Sequence, residues 1–263
     1  MLFNFTVINR IIYIFEQQIK FKMSVIKQWF SSKAEIHVAV TVVIVCLMLM
    51  LREYLGSGEQ LSDMVFSTFF PTQVPEHYHR MLAWAGGCVI FYLAIPMLFS
   101  KFVFKQSLIS TGFSTKIPRD HLKIYLLMLT VVLPLVVIAS LDAHFQATYP
   151  FFYFPKGEFP TQRFITWEIA YLLQFVAIEY FFRGFILFNC KPIFQEFSVY
   201  ISVIPYCMIH FGKPMPETIG AIIAGIFLGK MALRSGSILP GIALHYTVAI
   251  TMDLLSLWQQ DYF

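Results

Sequence analysis

A run apolar enough to cross a membrane, yet charged, constrains this chain more than any other feature. Counted from Thr166, TWEIAYLLQFVAIEYFFRG holds Glu168, Glu179 and Arg183 among aliphatic and aromatic residues. At roughly 100° per residue a helix brings Glu179 and Arg183 onto one face, and Glu168, eleven residues earlier, falls only about 20° from it. An ionisable group at bilayer depth costs about 3 kcal/mol even on the most lenient insertion scale, so the stripe is expected to face other helices or a wet cavity. A Glu–Arg pair that only fixes helix packing is the plain alternative.

The rest of the chain fits that setting. Of 263 residues, 58% are hydrophobic and 13% charged, against roughly 25% charged in soluble domains. Long unbroken apolar runs indicate helices, where a barrel would alternate over short segments. The expected fold class is therefore all-α, a polytopic membrane helical bundle of about seven transmembrane helices. The net charge of +4 is spread over short segments between spans, with no basic tract to bind nucleic acid and no phosphate-binding loop for a nucleotide. Cys46, Cys88, Cys190 and Cys207 make no CxxC or CxxH and read as small apolar residues.

Residues 1–33 form a basic arm with Arg10, Lys20, Lys22, Lys27 and Lys33, suited to an interfacial helix on the cytoplasmic side. No small-residue cleavage site precedes the first span, so no signal peptide is expected. Residues 34–163 are read as three accessory spans, 36–51, 82–100 and 124–140, followed by an aromatic loop whose YPFFYFPKGEFP suits the headgroup layer or a short re-entrant piece. Between the first two spans lies His77-Tyr78-His79, two alternate histidines expected in a solvated loop rather than at a metal. Residues 164–263 supply four more spans, 164–188, 197–211, 217–233 and 237–258. Lys101, Lys105, Lys116, Arg119 and Lys123 join the basic arm in placing the amino terminus and the 101–123 segment inside. Gly225 and Gly229 form a GxxxG that lets the sixth span pack closely on a neighbour.

The last four spans hold Glu168, Glu179, Arg183, His210, Glu217, Lys230, His245 and Asp253. Two histidines and several carboxylates in apolar helices are costly unless they meet, and together they suit a hydrolytic site. In such a site carboxylate and imidazole activate water, directly or through a divalent metal such as zinc. HExxH is absent, so any metal would have to be held between helices.

The order Glu179-Tyr-Phe-Phe-Arg183-Gly184, then Tyr206-Cys-Met-Ile-His210, then His245 resembles the CPBP family (CAAX proteases and bacteriocin-processing enzymes, also called Abi) over roughly residues 164–258. The resemblance implies an intramembrane metalloprotease that hydrolyses a membrane-associated peptide or protein, in the cytoplasmic membrane of a bacterium. It follows the pattern EExxxR, FxxxH and Hxxx(N/D). In that pattern the first Glu and the FxxxH histidine activate water, and the last His and Asn position the substrate carbonyl. Here Glu179, Arg183, His210 and His245 match, Ile178 stands for the first Glu, Tyr206 for the Phe and Ala249 for the Asn.

The catalytic set expected on these grounds is Glu179, His210, Glu217 and His245, supported by Arg183 and Glu168, with His210, His245 and Glu179 as the ligands of any metal. Glu217, seven residues after His210 across a two-proline turn and with no evident cation, is the candidate replacement for the missing base. An ordinary first-turn Glu, stabilised by the helix dipole, is the alternative. Asp253, eight residues past His245 and about 12 Å further along a helix, is a poor replacement for the Asn. Counting rise from the inner ends of the spans places His210 several ångströms nearer the outer face than Glu179 and His245. An inactive CPBP-like scaffold, in bacteriocin immunity or partner binding, and a small proton-coupled transporter are readings from other classes. The transporter lacks the expected inverted repeat.

Overall fold

The computed structural model describes residues 30–57, 76–151, 161–213 and 215–262, together with Tyr13 and Gln17. Most of the basic arm and residues 152–160 of the aromatic loop lie outside the described residues. The described elements are α1 (Lys33–Tyr54), α2 (Glu76–Cys88), α3 (Ile95–Leu98), α4 (Arg119–Ala139), α5 (Ala143–Thr148), α6 (Thr161–Glu179), α7 (Leu187–Phe194), α8 (Ser198–Met208), α9 (Met215–Ser235) and α10 (Leu239–Gln259). Wide π-helical turns at Val89–Ala94 and Phe99–Val103 carry α2 onward through α3, and another at Tyr180–Ile186 joins α6 to α7. His77 and His79 belong to the start of α2, which corrects the loop expected there.

Local chemistry sets the helix starts. The Ser32 hydroxyl accepts from Glu35 N–H at 3.2 Å, and Glu35 reaches back to Ser31 N–H at 2.8 Å, so two donors at the start of α1 are satisfied by side chains. Asp142 caps α5 by accepting from His144 N–H at 2.9 Å.

Six helical runs are long and apolar enough to cross a membrane: Lys33–Tyr54, His77–Val103, Arg119–Ala139, Thr161–Met208, Met215–Ser235 and Leu239–Gln259. The fourth has 48 residues, which at 1.5 Å each would be about 72 Å, more than twice a hydrocarbon core of about 30 Å. It is a hairpin. Gln195 takes φ 47° in a 3₁₀ turn, Gln195–Phe197, and α8 returns against the π turn Tyr180–Ile186. Among the described residues, seven helices are thus placed to cross or enter a bilayer, and the chain is an integral multi-pass membrane protein.

The hairpin also sets the height of the polar groups. Glu179 lies sixteen residues before Gln195 and His210 fifteen after it, so the two arms bring them to nearly the same level. This corrects the expectation that His210 sits further out, which treated the two spans as independent rods.

α6 is the central helix, packed against α2 on one side and α10 on the other. Within the Thr161–Met208 run an 18-residue stretch is 72% buried, against 11% for such a stretch of α4, whose Leu127, Val131, Leu135 and Ile138 are exposed as lipid-facing residues must be. α9 lies along α8, and the GxxxG explains how. A Cβ on Gly225 would come 3.1 Å from Val203 Cγ2 and 3.2 Å from Tyr206 Cδ1, and one on Gly229 would come 2.8 Å from Val199 Cγ1. The glycines thus receive side chains of α8, Tyr206 among them. Near the start of α7, Asn189 Oδ1 accepts from His37 Nε2 at 2.7 Å and from Gln106 Nε2 at 2.8 Å, tying α1 and the segment after α3 to the hairpin. All four cysteines are free.

The distribution of positive charge predicts that residues 101–123 face the cytoplasm. Single cysteines introduced there should react with an impermeant thiol reagent only after cells are opened. Labelling from outside intact cells would reverse the orientation.

Candidate functional site

Glu179, on the last turn of α6, is 1% exposed and so is Arg183 in the π turn that follows. Arg183 Nη1 lies 3.0 Å from Glu179 Oε1, and His245 Nδ1, from α10, lies 2.8 Å from the same oxygen. The expected i, i+4 pair is present, and it has a third member from another helix. These are close contacts rather than aligned hydrogen bonds, as Oε1, Nη1 and Nδ1 find no partner in hydrogen-bonding geometry among the described residues.

Backbone shape makes room for the pair. A Cβ at Gly241 would sit 2.6 Å from Glu179 Oε2, so α10 approaches the carboxylate through a residue with no side chain. A Cβ at Gly184 would sit 2.7 Å from the Thr111 carbonyl, which explains why glycine follows Arg183 where the π turn meets the Ile109–Thr111 segment. π turns are frequent at functional sites because they re-aim side chains without breaking the helix.

Tyr206 joins this network to the remaining histidine. The Arg183 guanidinium lies 3.9 Å from the centre of the Tyr206 ring, a cation–π contact worth about 2 kcal/mol when desolvated. The Tyr206 hydroxyl is 2.9 Å from His245 Nε2, and the Tyr206 carbonyl is 2.8 Å from His210 Nδ1. A carbonyl can only accept, so His210 carries its proton on Nδ1 and leaves Nε2 as a free lone pair. Glu179, His245 and the Tyr206 hydroxyl thus meet between α6, α10 and α8, and His210, two residues past α8, is held by the Tyr206 backbone. Sequence reasoning took Tyr206 as a mild change from Phe; the available signal was a hydroxyl one helical turn before a histidine. Phe175, stacked on His245 at 5.7 Å, was also missed.

The other candidates fall elsewhere. Thr218 Oγ1 donates to the His210 carbonyl at 3.0 Å, so the chain doubles back after the prolines as expected. Glu217 nevertheless has a cation, since its Oε1 pairs with Lys213 Nζ at 2.5 Å and its Oε2 accepts from the Tyr149 hydroxyl at 3.3 Å. That corrects the reading of Glu217 as an unpaired carboxylate poised beside His210. Glu168 is buried but lies against Asp253 and Tyr246 rather than with Glu179. Asp253 is held by Trp167 Nε1 and the Phe151 N–H, each at 3.2 Å. The polar stripe of α6 is thus split into two clusters along α10.

Positions 178 and 249 are packed as apolar residues. Ile178 is 8% exposed within the main core, and Ala249 is buried with Trp167, Tyr171 and Leu257. Among the described residues no group of three or more His, Cys, Asp or Glu side chains converges as metal ligands do. His210, His245 and Glu179 do not fit a three-ligand zinc site, and no step below is routed through a metal.

His210 lies two residues past Met208, where the fourth membrane-length run ends, and there burial and the Lys213 ammonium push it down to about 4, partly countered by the Tyr206 carbonyl and Glu217. Its imidazole is neutral at physiological pH.

The buried pair generates a stability test. Replacing Glu179 by Leu or Arg183 by Met alone strands a charge and should cost about 3–5 kcal/mol, whereas the double variant should cost less than either single one. Thermal unfolding in detergent measures this. Additive losses would show that the two charges are independent.

In a comparison with family models, residues 160–251 match type II CAAX prenyl endopeptidase Rce1-like. Neither the comparison with curated proteins nor that with solved structures yields a match. The matched segment runs from the start of α6 into α10 and contains Glu179, Arg183, Tyr206, His210 and His245. Through this segment, about a third of its length, the chain is similar to the CPBP/CAAX protease family.

Proposed function

We propose that the protein is an intramembrane endopeptidase of the bacterial cytoplasmic membrane, hydrolysing a membrane-associated peptide or protein with water activated by His210. One observation carries the reading: Glu179, His245 and Tyr206 from three helices, with His210 held to the Tyr206 backbone just past α8, gather inside the matched segment. A pair kept only for packing would need neither histidine.

In the reaction, His210 Nε2 takes a proton from water as its oxygen attacks the scissile carbonyl carbon. The imidazolium then gives that proton to the departing nitrogen as the C–N bond breaks, so the imidazole is restored and no other reactant is consumed. General acid–base assistance of this kind is worth about 10²–10⁴-fold. Glu179 and Arg183 hold His245 in place, and the Lys213–Glu217 pair sets the field around His210. A cleavage assay on membrane peptides with purified protein in liposomes tests the proposal. The parent should cleave and His210→Ala should lose activity by at least about 100-fold.

A second reading has a specific observation in its favour. Ile178 and Ala249 are buried in apolar packing, where the family pattern has Glu and Asn. An inactive scaffold that binds peptides predicts binding without cleavage by the parent and by His210→Ala alike.

The field at His210 gives a pH prediction with a definite sign. The base works only when unprotonated, so activity should persist as pH falls and be lost near pH 4. Lys213 pushes His210 down, so Lys213→Ala should shift the acid limb upward, toward the free imidazole value of about 6.5. A kcat/KM profile for both proteins checks it; an unmoved acid limb would mean that His210 is not the titrating base.

A further inference from the structure

His245 Nδ1 lies 2.8 Å from a carboxylate oxygen, and two acceptors do not face each other at that distance, so Nδ1 carries the proton. Nε2 is then an acceptor, and the group that meets it at 2.9 Å is the Tyr206 hydroxyl, which therefore donates. Both ring nitrogens of His245 are in use. With Nε2 accepting from Tyr206, no N–H of His245 is left to offer a substrate carbonyl, although polarising that carbonyl is the role expected of it. The one mobile proton at this end of the chain is on Tyr206.

We infer that Tyr206 is a catalytic residue: its hydroxyl, backed by His245 and Glu179, donates the hydrogen bond that stabilises the oxyanion of the tetrahedral intermediate. This rests on the proteolytic reading above. Three observations besides the hydrogen bond support it. The hydroxyl belongs to the residue whose carbonyl orients His210, so base and oxyanion donor are fixed by one side chain and its own backbone. The ring is 3% exposed and clamped between the Arg183 guanidinium at 3.9 Å, the edge-on Phe182 ring at 5.2 Å and Gly225 of α9. A donor so restrained loses little entropy when it is used. When negative charge forms on the carbonyl oxygen, the hydroxyl turns from neutral Nε2 to the stronger, charged acceptor by rotation about its C–O bond. No bond to carbon is made or broken in that motion, and the proton stays on the tyrosine.

Tyr206→Phe is an unusually clean test, because it keeps the ring and restores the residue that the family pattern has at this position. In liposomes, with a peptide the parent cleaves, kcat should fall about 10²–10³-fold with KM unchanged, as for loss of one oxyanion donor. ¹⁵N-histidine NMR of the same variant should still show His245 protonated on Nδ1, since Glu179 holds that proton. Full kcat in Tyr206→Phe would overturn the inference while leaving the proteolytic reading standing. A lowered kcat accompanied by a switch of His245 to the Nε2–H form would also overturn it, because Tyr206 would then act only by positioning His245. A parent that cleaves none of the peptides would remove the proteolytic reading and this role with it.

Discussion

A single oxygen, Oε1 of Glu179, is approached by a guanidinium at 3.0 Å and an imidazole at 2.8 Å in a place that water does not reach. Taking a carboxylate and a guanidinium out of water is costly, and their attraction offsets that cost only if the geometry is held. Much of the surrounding structure can be read as the means of holding it. α10 comes close enough because Gly241 has no side chain to strike the carboxylate. The π turn after Glu179 tucks under the 109–111 segment because Gly184 has none either. Arg183 is covered by the face of Tyr206, and Tyr206 is seated by a glycine of α9.

The same contacts join fold to chemistry. α4 turns a largely exposed apolar surface outward, whereas α1 is also tied to the hairpin through His37 and Asn189. In the π turn after α6 the aromatic residues Tyr180, Phe181, Phe182 and Phe185 are fully buried. In such a packed interior a displaced carboxylate or ring has nowhere to relax. Rigidity of that kind suits a site whose hydrogen-bond donors must already be aimed when charge develops on the substrate.

The sequence made the bundle legible because membrane helices announce themselves by length and hydropathy. The Glu179–Arg183 pair was legible because four residues is nearly one helical turn. The order of Glu179, His210 and His245 was enough to suggest the family. What could not be read was anything fixed between helices. His210 was placed too far out because the hairpin at Gln195, where a non-glycine residue takes a positive φ, leaves little trace in hydropathy. Glu217 looked unpaired because the two-proline turn was read for what it brings toward His210, and not for Lys213, which pairs with Glu217 from just before α9. Glu168 shares a helix face with Glu179, but about 16 Å of rise separates them, and α10 meets each with a different residue. Tyr206 was passed over because a ring in place of a ring is conservative for packing and not for hydrogen bonding.

The central claim is that Glu179 is an ionised carboxylate shared by Arg183 and His245. Difference infrared spectroscopy of the parent and Glu179→Gln, both in lipid bilayers at neutral pH, addresses it without a substrate. The account predicts that the band lost with Glu179 is that of a carboxylate ion. Loss of a protonated carboxylic acid band instead would mean that Arg183 and His245 do not share a negative charge, and the account of the site would be contradicted.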